Sequence, residues 1–177
     1  MPDAHRGHTL YELLLVLLLI SILAGLAVPS FGNIVARSRI SAEIDALFHA
    51  VHVARKEAIM RRQVVSLCPS VDGRQCDGSR DWSAGWIMFN NVDADEPPRV
   101  DPGEAVLQRH AARPEVRIRA NRRGFTLRAI FRRATNGTLV VCDRAGRVAA
   151  KALVVSYTGR PRVALADRAG RPYDCAD

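Results

Sequence analysis

The chain has 177 residues, enough for one compact domain plus an anchoring segment and too few for a large multidomain protein. Its net charge is +8, and the excess is uneven: 16 basic and 5 acidic residues stand from Arg109 onward, against 10 and 13 before it. Biased codon usage would explain the preference for arginine but not this asymmetry, so the distal half is the part expected to attract a polyanion.

An uncharged run from Leu13 to Ala36 follows a short N-terminal leader. It is long enough to cross a hydrocarbon core as a helix. A secretory signal peptide cleaved after Ala27 is one alternative, but the apolar run continues beyond that residue. A plain signal anchor is another, and it leaves Glu12 unexplained, because a carboxylate at the edge of an apolar helix costs free energy.

The motif Gly7-His8-Thr9-Leu10-Tyr11-Glu12-Leu13 resembles the type IV prepilin signal, usually Gly-Phe-Thr-Leu-x-Glu-Leu. The resemblance implies a leader of residues 1–7, cleavage after Gly7 by a prepilin peptidase, and methylation of the new N-terminus at His8, where the family usually has phenylalanine. Residues 8–36 then form the transmembrane and filament-core helix. Glu12 can neutralise the N-terminus of a neighbouring subunit, and Pro29 can bend the helix, so both are expected to serve filament assembly.

An amphipathic stripe, from Ile40 through Ile44 and Leu47 to Ala58, predicts that the helix continues over residues 37–63 and ends near Arg62 or Gln63. Strand-like segments follow within residues 64–177: Val64–Cys68, Trp82–Phe89, Val116–Ala120, Phe125–Phe131, Thr138–Cys142 and Leu153–Tyr157. The expected fold class is α+β, with a long N-terminal helix packed on an antiparallel β-sheet in a pilin-like domain.

Four cysteines are present, with no Cys-x-x-Cys and no spacing typical of zinc. An even number in an exported domain predicts disulfides, with three possible connectivities. We favour Cys68–Cys76, which closes a short polar loop, and Cys142–Cys175, which ties the tail to the body. Both would require an oxidising compartment.

The segments Ala54–Ala58, Leu67–Pro69 and Trp82–Trp86 resemble the minor pilins and pseudopilins grouped as FimT/GspH. The resemblance implies an inner-membrane protein with a cytoplasmic N-terminus and a periplasmic domain, which enters a pilus or pseudopilus after assembly. Its partners would be other pilin subunits, the prepilin peptidase and the membrane. No cofactor is expected.

Two clusters have the residue types of metal ligands. Asp45, His49 and His52 lie at helical spacing, and an acidic loop occupies residues 93–104, but solvated surfaces are the favoured interpretation of both. Trp82 and Trp86 are expected in the core. No catalytic motif is apparent, so the chain is expected not to be an enzyme, and a tethered periplasmic enzyme is the weaker rival.

The tail contains Gly159-Arg160-Pro161-Arg162, followed by Arg168 and Arg171. Gly159 permits a tight turn, and residues two apart in an extended chain face the same way, so Arg160 and Arg162 could contact successive phosphates. A Gly-Arg-x-Arg tail resembles that of FimT-type minor pilins, which implies binding of double-stranded DNA for uptake in natural transformation.

Two alternatives to a DNA-binding tail remain. The tail can be a solvated turn, and the chain a GspH-like pseudopilin of a type II secretion system without a nucleic-acid role. Arg117 and Arg119, on a strand elsewhere in the basic half, are expected to lie apart from the tail and to serve as its control.

Overall fold

The computed structural model describes residues 9–111, 113–129 and 133–175, and within its helix it describes residues 26–30 by their backbone alone. The predicted processing residues Gly7 and His8, and the side chain of Pro29, lie outside the described part. The predictions that rest on them stay predictions.

One long helix, α1 (Leu10–Arg61), begins the fold. Its N-terminus is closed by a capping box: the Glu12 amide donates to Thr9 Oγ1 at 3.3 Å, and the Thr9 amide donates to Glu12 Oε2 at 2.8 Å. The helix ends where Arg62 adopts a left-handed conformation with φ of 54°. The predicted end near Arg62 is therefore confirmed.

The two halves of α1 differ in their surroundings. Large apolar side chains are exposed along the first half, from Leu10 to Leu23, whereas from Ala36 onward a stripe that includes Ile40 and Leu47 is buried. Among the residues described with their side chains, no helix is long and apolar enough to cross a membrane. The predicted span 13–36 includes residues 26–30, whose side chains are not described.

The described residues include eight strands, which form two four-stranded antiparallel sheets. The first sheet has the order β3-β2-β1-β5, with β1 Val65–Pro69, β2 Gly85–Asn90, β3 Val106–Ala111 and β5 Phe125–Leu127. The second has the order β4-β6-β7-β8, with β4 Val116–Ala120, β6 Gly137–Asp143, β7 Lys151–Val155 and β8 Pro161–Ala164.

The pilin-like α+β class is confirmed, since the helix packs on antiparallel strands. The described strands of this antiparallel domain pair into two separate ladders. The core lies between α1 and both sheets, and the two tryptophans fill it as predicted: Trp82 and Trp86 are almost fully buried, and Trp82 meets Phe125 edge-on at 5.7 Å.

Both predicted disulfides, Cys68–Cys76 and Cys142–Cys175, are confirmed. The first closes the loop after β1. The second ties β6, at the centre of the second sheet, to the C-terminal tail.

Candidate functional site

A groove of about 1180 Å³ lies on the face of the second sheet that points away from α1. Side chains alternate along β4 and β6, so Ile118 and Leu139 enter the core while Arg117, Arg119 and Val140 point into the groove. Arg162 on β8 lines its opposite side. We call this feature the arginine groove.

The tail, residues 165–175, forms one wall of the arginine groove. The Cys142–Cys175 disulfide fixes its far end, and Arg117 Nη1 donates a hydrogen bond to the Cys175 carbonyl oxygen at 3.1 Å. Ala166 and Pro172 form a β-bridge, which folds the tail into a short hairpin. The position of the wall is thus set by covalent and hydrogen-bonded contacts to the sheet.

Positive charge dominates the lining. Among the described residues that line the groove are six arginines and three aspartates, a net charge of +3: Arg80, Arg117, Arg119, Arg162, Arg168, Arg171, Asp81, Asp167 and Asp174. Burial disfavours ionisation of Asp81, but hydrogen bonds from Ser83 and the charges of Arg119 and Arg144 outweigh it, so the pKa of Asp81 is lowered. Asp81 therefore stays ionised, and the lining arginines outnumber the aspartates two to one.

The structure corrects the expectation about Arg117 and Arg119. Arg117 and Arg119 do not lie apart from the tail but line the same groove as Arg162, because the sheet order places β4 and β8 at the two edges of one face. They cannot serve as a control for the tail. Sequence reasoning also missed Arg80, which reaches the groove from the loop before Trp82.

The turn before β8 places Arg160 and Arg162 differently. The Gly159 amide donates to the Ser156 carbonyl oxygen at 2.8 Å, and the Ser156 amide donates to that of Arg160 at 3.0 Å. Arg160 is exposed in this turn and is not part of the groove lining, whereas Arg162 is. Gly159 has φ of 72°, and a Cβ there would lie 2.9 Å from Leu127 Cδ1, so the turn requires glycine.

A buried ion cluster fixes β3 against α1. Glu43 on α1 has a side chain only 2% exposed, and its carboxylate is 2.7 Å from His110 Nε2 and pairs with Arg113. His110 also stacks on Trp86, with ring centroids 4.9 Å apart. Nothing in the sequence pattern indicated this cluster, and its arrangement suits a structural role.

The two candidate metal clusters have different geometries. Asp45, His49 and His52 are exposed on α1. In the acidic loop, carboxylate oxygens of Asp93, Asp95 and Asp101 lie within 4.8 Å of one another. Hydrogen bonds inside the loop already use part of this set: Asp93 Oδ1 accepts from the Asp95 amide at 3.2 Å, and Asp95 Oδ1 accepts from the Arg99 amide at 3.2 Å.

Residues 43–159 match the family model described as type II transport protein GspH. The pilin-like protein PilA1 of Thermus thermophilus is 31% identical over 170 residues, which cover 89% of this chain and 97% of PilA1. The type IV major fimbrial protein FimA of Dichelobacter nodosus is 28% identical over 113 residues, 60% of this chain, and two further FimA sequences are 30% identical over 98 and 95 residues. The matches span between 51% and 63% of the FimA length.

Among solved structures, the type IV minor pilin FimU of Pseudomonas aeruginosa superposes with a TM-score of 0.55. The superposition covers 79% of this chain and 97% of the FimU chain, at 19% identity. The likeness to FimU supports the fold.

Proposed function

This chain belongs to the GspH family of pilin-like proteins, and from that membership we propose that it is a minor subunit of a type IV pilus that binds DNA for uptake. The role is binding and assembly rather than catalysis. The DNA-contacting residues proposed are Arg160, Arg162, Arg168 and Arg171, with Gly159 holding the turn between them and the body.

The observation that carries the DNA proposal is the arginine groove. Arg162 and Arg168 are exposed within it, and Arg160 is exposed at the adjacent turn. Arginine forms bidentate hydrogen bonds with phosphate oxygens, and each phosphate that it neutralises releases condensed counterions. Contacts of this kind fix DNA without reading its sequence, so little sequence preference is expected.

The proposed life cycle follows from the leader motif. A prepilin peptidase cuts after Gly7 and methylates His8, and the protein waits in the inner membrane, with its N-terminus cytoplasmic and its domain periplasmic, until it enters a filament. We expect intact-mass measurement of the membrane-extracted protein to give an N-terminus at His8. Gly7→Val should leave the leader attached, and a wild-type chain that starts at Met1 would contradict the proposal.

The second candidate is a GspH-like pseudopilin with an assembly role in type II secretion and no DNA ligand. The description of the matched family favours it. The two candidates differ in whether the arginine groove binds a polyanion, so a DNA-binding measurement on the full chain separates them.

For the test, the double variant Arg162→Ala/Arg168→Ala is compared with Arg74→Ala/Arg99→Ala, which removes the same charge from exposed loops outside the groove. Duplex affinity is measured by fluorescence anisotropy over a range of salt concentrations. The groove variant should bind more weakly, and the slope of log K against log salt should fall by about 2.

The control pair should reduce affinity much less. Equal losses in the two variants would show that only overall charge matters. A wild-type chain that binds neither duplex nor single-stranded DNA at low salt would favour the pseudopilin.

A further inference from the structure

We propose that the ligand of the arginine groove is one unpaired strand of nucleic acid, with phosphates on the arginines of its two sides and bases on its floor. The inference rests on the proposed function and deepens it by naming the form of nucleic acid bound. A duplex could contact the exposed arginines alone, whereas a single strand would also use the floor and both sides of the groove. It adds Arg119 on β4 and Tyr157 after β7 as ligand-contacting residues.

The number of strands between β4 and β8 sets the distance between the two sides, and the register sets which residues face each other. Arg162 on β8 stands opposite Val154 on β7, and Arg119 on β4 stands opposite Val140 on β6. Four strands have three gaps of about 4.8 Å, so the backbones of β4 and β8 are about 14 Å apart. Arginine side chains that extend from both edges leave room between them for a single strand.

The floor between these sides includes apolar side chains beside the polar Thr138 and Ser156. Val140 and Val154 are only partly buried, and both line the groove. A surface that met phosphates alone would gain nothing from exposed valines, because phosphate oxygens require hydrogen-bond donors. Bases that have left a duplex present apolar faces, and the apolar side chains of the floor suit them.

An exposed aromatic ring lies at one end of the groove. Tyr157 is 62% exposed, and the guanidinium carbon of Arg133 lies 5.9 Å from its ring centroid. Tyr173, from the tail, is half-buried in the lining. Exposed aromatic rings flanked by arginine are typical of surfaces that stack unpaired bases. Paired bases in a duplex are already stacked on one another, so Tyr157 should contribute only when the strand is open.

An acidic peptide is the other polyanion that could occupy the groove. It would satisfy the arginines, but it has no regular series of flat apolar groups for the floor and for Tyr157. The apolar side chains of the floor and the exposed ring therefore favour nucleic acid.

The test uses the full chain in mild detergent, because the apolar half of α1 is exposed. Fluorescence anisotropy gives its affinity for a thymidine oligonucleotide of about 16 nucleotides and for a duplex of the same length. Tyr157→Ala should weaken binding of the single strand about tenfold, since stacking contributes roughly 1–3 kcal/mol per base, and should leave duplex binding within about twofold. Tyr157→Phe, which keeps the ring, should behave as the wild type.

Arg119→Ala provides a second measurement that does not involve the ring. It should weaken single-strand binding more than duplex binding, because the duplex does not reach the edge at β4.

The outcomes separate this inference from the proposed function. If the wild type binds neither probe, the proposed DNA function fails. If it binds duplex, but Tyr157→Ala has no effect on the single strand or weakens both probes equally, the strand inference fails and the proposed function stands. Displacement of the oligonucleotide by oligoglutamate of equal charge at equal concentration would also overturn the strand inference in favour of a peptide ligand.

Discussion

The string Asp-Arg-Ala-Gly-Arg occurs twice in this chain, and at the scale of the residue it builds the same turn twice. In each copy the aspartate accepts hydrogen bonds from the fifth residue, and the glycine has a positive φ: 67° at Gly146 and 78° at Gly170. The copies differ in burial, because the side chain of Asp143 is 2% exposed and that of Asp167 is 29% exposed. The repeat therefore offers a matched pair of sites.

Asp143 should make stability depend on pH. Hydrogen bonds from the Arg147 guanidinium are the main cause that holds the pKa of Asp143 below its ordinary value of 3.8. The folded state lowers this pKa. The contribution of Asp143 to the free energy of unfolding is therefore fully present above pH 3.8 and is lost as the pH falls through the folded-state pKa. Asp143→Asn should lower the free energy of unfolding at neutral pH by about 1.5–3 kcal/mol, and the difference from the wild type should shrink in acid.

Urea denaturation at a series of pH values measures this dependence. Asp167→Asn is the control, since hydrogen bonds led by that from the Arg171 amide also lower the pKa of Asp167, but in an exposed turn. A penalty for Asp143→Asn that stays constant from neutral pH into acid would contradict the prediction.

Local chemistry made several residue positions predictable. Disulfide pairing followed from loop composition, and the burial of Trp82 and Trp86 followed from their size. The meeting of Arg117 and Arg119 with Arg162 did not follow, because it depends on the order of β4, β6, β7 and β8. Strand order is a property of long-range pairing that no local pattern of side chains encodes.

At the scale of the element, helix α1 was predicted well and two strands were missed. The spacing of its apolar residues correctly predicted that its second half is amphipathic and that it ends near Arg62. Strands β3 and β8 were missed because both lie at sheet edges and carry polar or exposed side chains: β3 contains Gln108, Arg109 and His110, and β8 begins with Pro161. Edge strands lack the apolar alternation that identifies a half-buried strand.

The capping box at the start of α1 gives Glu12 two candidate roles, and one substitution separates them. Glutamine can replace glutamate in a capping box but carries no charge. If Glu12 neutralises a neighbour's N-terminus, Glu12→Gln and Glu12→Leu should both insert in the membrane and enter filaments poorly. Immunoblotting of sheared filaments measures incorporation. If Glu12→Gln incorporates as well as the wild type while Glu12→Leu does not, the role is helix capping and the charge model fails.

At the scale of the whole molecule, the residues proposed to bind the ligand lie on one face of the second sheet and on the tail beside it. The basic excess from Arg109 onward maps mainly onto the second sheet and its tail, while the acidic loop of residues 93–104 belongs to the first sheet. The uneven distribution of charge along the sequence thus becomes an uneven distribution of charge across the domain.

The two disulfides should differ in their effect on DNA binding. Cys142→Ala/Cys175→Ala frees the wall of the groove and opens a crosslink of 33 residues, which the chain-entropy model values at about 3–4 kcal/mol of stability. DNA affinity should fall as well, because a freed tail must be ordered on binding.

Cys68→Ala/Cys76→Ala is the matched control for the tail disulfide. It should lower the midpoint of urea denaturation but leave DNA affinity unchanged, since this bridge lies outside the groove. Equal DNA affinities in the two double variants would contradict the assignment of the wall.

If the groove depends on Cys142–Cys175, DNA binding would also depend on when this disulfide forms. A newly made chain shares the cytoplasm with the chromosome, and reducing conditions there keep its thiols apart. Its tail would then be tethered only by weak contacts, so the proposed DNA site would be incomplete while the cell's own DNA is within reach. Oxidation after export would complete it. The disulfide would thereby restrict DNA binding to the exported protein. The chain would not bind the chromosome of its own cell but would bind DNA outside the cytoplasm.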